Sequence, residues 1–88
     1  MTDSRPILIV DDDVVDAMTI KRALKDIKVS NQIETAGNGE EALELLRDGS
    51  RKKPCIILLD LNMPRMNGIE FLTIVKEDHT LKMIPVIV

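Results

Sequence analysis

Two short, unbroken apolar runs end in carboxylates, and that pairing restricts this chain more than any other feature. Ile7-Leu8-Ile9-Val10 passes straight into Asp11-Asp12-Asp13, and Ile57-Leu58-Leu59 passes into Asp60-Leu61-Asn62-Met63-Pro64. An apolar run without polar alternation suits a strand buried on both faces, as in a parallel sheet covered by helices. Open sheets of that kind bind ligands in the crevice beyond the carboxyl ends of their strands. A lone Asp after a strand is ordinarily a turn or cap residue. Two acidic strand ends change that reading, because neighbouring strands lie about 5 Å apart and would put their carboxylates in one pocket.

The segments between these runs switch to a helical period. From Asp13 onward, Val14, Ala17, Ile20, Leu24 and Ile27 recur at spacings of three and four, with Lys21, Arg22, Lys25 and Lys28 mostly on the wet side. Asp13 reads as the N-cap of this helix. Residues 30–36 alternate and are more polar, which suits an edge strand. Asn38 can cap a second helix, Glu41 stands where a capping box places its acid, and Ala42, Leu43, Leu45 and Leu46 form the apolar face. Gly49 is placed to stop it. A polar linker from Ser50 leads to a third strand, Cys55 to Leu59. Gly68 opens a third helix that runs through Phe71 and Val75 to about Glu77. Residues 78–83 connect it to a fourth buried strand, Ile84 to Val88. Strands alternating with helices predict an α/β, doubly wound parallel sheet with helices on both faces.

Composition narrows the function. With 88 residues there is room for one domain, residues 1–88, and no second one. Phe71 is the only aromatic residue, so the core is aliphatic and no platform exists for stacking bases. A net charge of −3 argues against general affinity for nucleic acid or anionic membrane. Cys55, the single cysteine, excludes an internal disulfide, fits a reducing, cytoplasmic setting, and reads as a small buried residue opening a strand. Residues 1–6 lack the pattern of a secretion signal, and no apolar run is long enough to span a bilayer.

Asp11, Asp12 and Asp60 in one pocket would repel one another, and something has to compensate them. A hard divalent cation does so, and Mg2+ suits an open site of one or two carboxylates plus water. With the cation present, Asp60 becomes a nucleophile toward phosphorus. The resulting aspartyl phosphate adds charge and acceptor oxygens at one point, which attracts nearby hydroxyls and cations and so can work a switch.

In its order of motifs the chain resembles the receiver domains of two-component response regulators. The matching stretches are Ile-Leu-Ile-Val-Asp-Asp-Asp at 7 to 13, Ala-Gly-Asn-Gly-Glu-Glu-Ala-Leu at 36 to 43, Leu-Leu-Asp-Leu-Asn-Met-Pro-Arg-Met-Asn-Gly at 58 to 68, and Ile-Pro-Val-Ile-Val at 84 to 88. The resemblance implies a flavodoxin-like receiver fold, a sensor histidine kinase as phosphodonor, and Asp60 as phosphoacceptor; such a domain is a signalling module and not an enzyme. It implies that Asp12 and Asp60 ligate magnesium by side chain, that Asp11 holds a metal-bound water, and that Asn62 offers a backbone carbonyl. Pro64 and Gly68 resemble loop-shaping residues of the family. The Asp-Asp-Asp start and the Asn-Gly-Glu-Glu-Ala-Leu stretch are most similar to stand-alone receivers that serve phytochrome-type kinases.

Receivers of this family continue with a Ser or Thr shortly beyond the position of Val88, a helix, a fifth strand ending in Lys, and a last helix. The 88 residues therefore correspond to a partial receiver domain of strand order 2-1-3-4, expected to accept phosphate poorly. An uncovered edge at residues 84–88 and an exposed stripe on the first helix predict self-association, by strand pairing or exchange of elements. Two other readings compete. A haloacid-dehalogenase-type phosphatase would use Asp11, in Asp11-Asp12-Asp13-Val14-Val15, as its nucleophile, but leaves Asp60 to Pro64 unexplained. A phosphate-independent interaction module would bind partners without magnesium. His79 lies in a connection and reads as a solvated loop residue.

Overall fold

A computed structural model of the protein describes residues 5–61 and 67–88. Along them run β1 (Ile7–Val10), α1 (Val14–Asp26), β2 (Ile33–Ala36), α2 (Gly39–Arg47), β3 (Ile56–Leu59), α3 (Gly68–Glu77) and β4 (Val86–Ile87). The strands pair in parallel in the order β2-β1-β3-β4, the flavodoxin-like arrangement. Polar β2 takes the edge, and the two unbroken apolar runs take the centre.

Register brings the acidic strand ends level. Ile7 stands opposite both Ile33 and Ile56, and Val10 opposite both Ala36 and Leu59. One residue further, Asp11 N–H donates to Ala36 O at 3.0 Å and Asp60 N–H donates to Val10 O at 2.9 Å. The sheet's last hydrogen bonds thus hold the backbones of both acids.

Alternating side chains divide the central strands between two faces. Leu8, Val10, Ile57 and Leu59 join Ala42, Leu43 and Leu46 of α2 and Phe71 and Val75 of α3 in one core. The other face carries Ile7 and Ile9, also buried, and is covered less completely, since α1 buries Ala17 alone. Val14, Met18 and Ile27 stay at least 63% exposed, so the apolar stripe of α1 is only partly used. Lys21, Arg22 and Lys25 of α1, and Lys28 just beyond its end, are all exposed as the periodicity predicts.

Helix ends follow the sequence at the starts more closely than at the stops. Asp13 caps α1 by accepting from Val15 N–H at 2.9 Å and Asp16 N–H at 3.3 Å. Asn38 caps α2 through Glu41 N–H at 2.8 Å, while the Glu41 carboxylate reaches back to Gly37 N–H at 3.3 Å, one residue earlier than a capping box requires. Gly49 does not adopt a left-handed conformation and does not stop α2. The chain turns instead at Asp48, whose Oδ1 accepts from Ser50 N–H and Oγ–H. Helix α1 ends in a Schellman motif with Lys28, at φ 64°, in the left-handed position: Lys28 N–H donates to Lys25 O and Val29 N–H to Leu24 O.

Three details differ from the sequence expectation. The fourth strand is two residues long and not fully buried, with Val86 half-buried and Ile87 and Val88 exposed. As expected, it pairs with β3 on one side, which leaves its outer edge open among the described residues. Cys55 precedes β3 and is half-buried, with Sγ 3.7 Å from Arg5 O.

Candidate functional site

Each residue of the acidic triplet is given a separate task by the β1 to α1 turn. Asp13 spends its carboxylate on the first turn of α1. Asp11 Oδ1 accepts from Asp13 N–H at 2.9 Å, which folds the turn back over the end of β1. Asp12 is exposed above it. From the neighbouring strand comes Asp60, half-buried and one residue beyond β3.

Carboxylate oxygens of Asp11, Asp12 and Asp60 lie within 4.8 Å of one another. The structure therefore brings together three of the four residues expected to hold a cation; Asn62, with Pro64, lies outside the described residues. The donor set fits a hard divalent ion. Opposite ligands of octahedral Mg2+ stand about 4.2 Å apart, so oxygens within 4.8 Å of one another need to close in by no more than about 0.6 Å to share one coordination shell. The cluster's own electrostatics point the same way. Partial burial holds the Asp11 carboxyl above its ordinary range, repulsion from Asp60, Asp16 and Asp12 adds to the rise, and the N–H of Asp13 opposes it.

Access is open on both sides of Asp11. One cleft of about 420 Å³ runs past Asp11, Asp16 and Asp60 and is walled by Ile9, Ile20, Leu58, Ile87 and Val88. A second, of about 360 Å³, lies between Val14, Met18 and Lys21 on α1 and Thr35 and Glu41 on the β2 to α2 side. His79 is exposed in the turn after α3 and lines neither cleft.

Gly68 contributes something that a turn-residue reading does not show. Its N–H donates to Leu61 O at 3.1 Å, and a Cβ there would stand 2.5 Å from Leu61 Cα and 2.7 Å from Asp60 O. The first turn of α3 is thus seated on the peptide that follows Asp60.

A parallel sheet of this order, ending in an acidic cluster, is the plan of a receiver, and a profile of the response regulator receiver domain matches residues 7–88. The chain belongs to that family. It is 39% identical over 85 residues to a probable methanogenesis regulatory protein, FilR2, of Methanothrix harundinacea, covering 93% of this chain and 55% of that protein. It is 33% identical over 86 residues to response regulator Rcp1 of Synechocystis, covering 93% of this chain and 58% of Rcp1. A Mn2+-bound structure of Rcp1 matches the fold with a TM-score of 0.86, at 31% identity and covering 93% of this chain and 62% of that one. The bacteriophytochrome response regulator AtBRR matches with a TM-score of 0.87 at 36% identity, covering 97% of this chain and 65% of AtBRR. Phytochrome-associated regulators are thus among its structural relatives. The chain spans a little over half the length of the curated relatives described here.

Proposed function

We propose that this chain is a phosphoacceptor module of two-component signalling, not an enzyme, and that it takes a phosphoryl group from the phosphohistidine of a sensor histidine kinase onto Asp60. The observation that carries the reading is the placement of Asp60. Its backbone is locked to the end of β1, and its carboxylate shares a cluster with Asp11 and Asp12 at the mouth of an open cleft.

In the transfer, an Asp60 carboxylate oxygen forms a bond to phosphorus as the P–N bond to the donor imidazole breaks. The imidazole nitrogen recovers that electron pair and takes a proton from water. Asp11, Asp12 and Asp60, with the backbone carbonyl of Asn62, would hold Mg2+, which supplies positive charge against the repulsion between carboxylate and phosphoryl group. Asp11 keeps the turn closed through Asp13 N–H, so it serves the cluster without being the nucleophile. The setting we propose is cytoplasmic; none of the described helices is long and apolar enough to cross a membrane.

Incubation with a small phosphodonor and Mg2+, followed by intact mass and peptide mapping, tests this. One phosphoryl group is expected, on Asp60, and none in Asp60→Asn or with chelator. An acyl phosphate on Asp11 would overturn the assignment, as would partner binding that needs neither magnesium nor Asp60.

A further inference from the structure

We infer that Gly68 is a positioning residue: without a side chain it lets α3 seat directly on the Asp60–Leu61 peptide, and so sets where the Asp60 carboxylate stands in the acidic cluster. The inference deepens the phosphoacceptor reading and rests on it.

Conformation does not explain the glycine. No described glycine has a positive φ, and helix propensity favours a residue with a side chain. Space does explain it. A Cβ would stand 2.5 Å from Leu61 Cα, 2.7 Å from Asp60 O and 2.8 Å from Leu61 Cδ2. The two closest atoms are backbone, so no rotamer change relieves the clash.

Both sides of that contact are held. On the helix side, Phe71 and Val75 are fully buried, at 0% exposure, which anchors α3 in the core. On the strand side, Asp60 N–H is bonded to Val10 O, and Leu61 O accepts from Gly68 N–H. Ordinary carbon contacts are about 3.5 Å or more, so a side chain at 68 must open the seat by about 1 Å. A working constellation tolerates about 0.5 Å. The displacement therefore reaches the carboxylates that lie within 4.8 Å of one another.

The test compares Gly68→Ala with Ile69→Ala, a neighbour in the same turn that is 64% exposed. The chain has no Trp or Tyr, so Mn2+ binding is read from the paramagnetic resonance signal of the free ion. Amide shifts of Asp11, Asp12 and Asp60 are recorded without cation. Gly68→Ala is expected to weaken Mn2+ binding on the order of tenfold and to move those amides, with Ile69→Ala close to wild type. Binding within twofold of wild type and unmoved amides would overturn the proposal. Phe71→Leu, which loosens the anchor of α3 and keeps Gly68, should move the same amides and weaken the ion. If Gly68→Ala does not fold, an unchanged Phe71→Leu site overturns the proposal. A wild type without Asp60-dependent Mn2+ binding would sink the phosphoacceptor reading, while the amide shifts still decide the role of Gly68.

Discussion

The two faces of the sheet share the same central strands and are finished differently. On one face, Leu8, Val10, Ile57 and Leu59 meet α2 and α3 in a core that includes Phe71, Val75, Leu81 and Ile84. On the other, Ile7 and Ile9 are buried, yet Val14, Val15 and Met18 of α1 remain exposed. The helices have comparable apolar stripes in sequence. A stripe shows which side of a helix can be buried, and what lies opposite decides how much of it is. The acidic cluster stands where these faces meet. Asp11 lines the clefts beside α1, and Asp60 is held from the closed face through the seat of α3.

The largest effect that would break this contrast comes from truncating matched residues on the two faces. Phe71→Ala should cost about 3–5 kcal/mol, because it leaves a cavity in the closed core. Met18→Ala, on α1, should change stability by no more than about 0.5 kcal/mol. Urea unfolding followed by circular dichroism measures both. A cost for Met18→Ala that rivals Phe71→Ala would mean the α1 face is closed in solution.

How much of this was legible follows from which forces act locally. The clustering of Asp11, Asp12 and Asp60 could be read, because parallel strands of equal length end level and put their next residues side by side. Asp13 and Asn38 could be read as caps, since capping is decided within three residues. The stop at Asp48 and the left-handed Lys28 could not. Gly49 looked like the stop signal, and a lysine carries no sign that it takes the left-handed position, which costs roughly 1–2 kcal/mol. The exposed stripe of α1 was expected from the resemblance and not from its periodicity, and the clash space at Gly68 depends on how the Asp60–Leu61 peptide passes the helix start, which periodicity does not see. The brevity of β4 has the same origin, since its pairing is with β3.

A smaller effect sharpens the contrast at the helix starts. Asp13 and Asn38 are caps of similar chemistry, and replacing either by Ala should remove about 1 kcal/mol of helix stability. The consequence should differ by face. Helix α2 is tied to the core through Ala42, Leu43 and Leu46, so Asn38→Ala should lower global stability by nearly that amount. Helix α1 is tied by Ala17, so Asp13→Ala should mainly raise local opening. Hydrogen exchange separates the two outcomes. Faster exchange confined to α1 is expected for Asp13→Ala, and a uniform acceleration of all helices would contradict it.

The smallest effect is a pH dependence in the turns that leave the helices. Asp78 accepts from Thr80 N–H at 2.7 Å and Leu81 N–H at 3.0 Å, and these backbone donors hold its carboxyl below the ordinary value. Asp48 is held down in the same way by the hydroxyl and N–H of Ser50. A carboxylate lowered on folding contributes stability above its unfolded pKa, and that contribution is lost as pH falls through its folded pKa. Stability should therefore decline on acidification below about pH 4, where both carboxylates take up protons. The turns differ in what they deliver to the core. Asp78 sets the turn that carries Leu81 and Ile84 into the closed face, whereas Asp48 sets an exposed one. Asp78→Asn keeps an acceptor oxygen but cannot titrate, so it should flatten the acid limb of unfolding free energy against pH. Asp48→Asn should flatten it less, because unlocking its turn releases no buried side chain. Equal flattening by the two variants would show that acid stability is set by the local turns alone, independent of which face they serve.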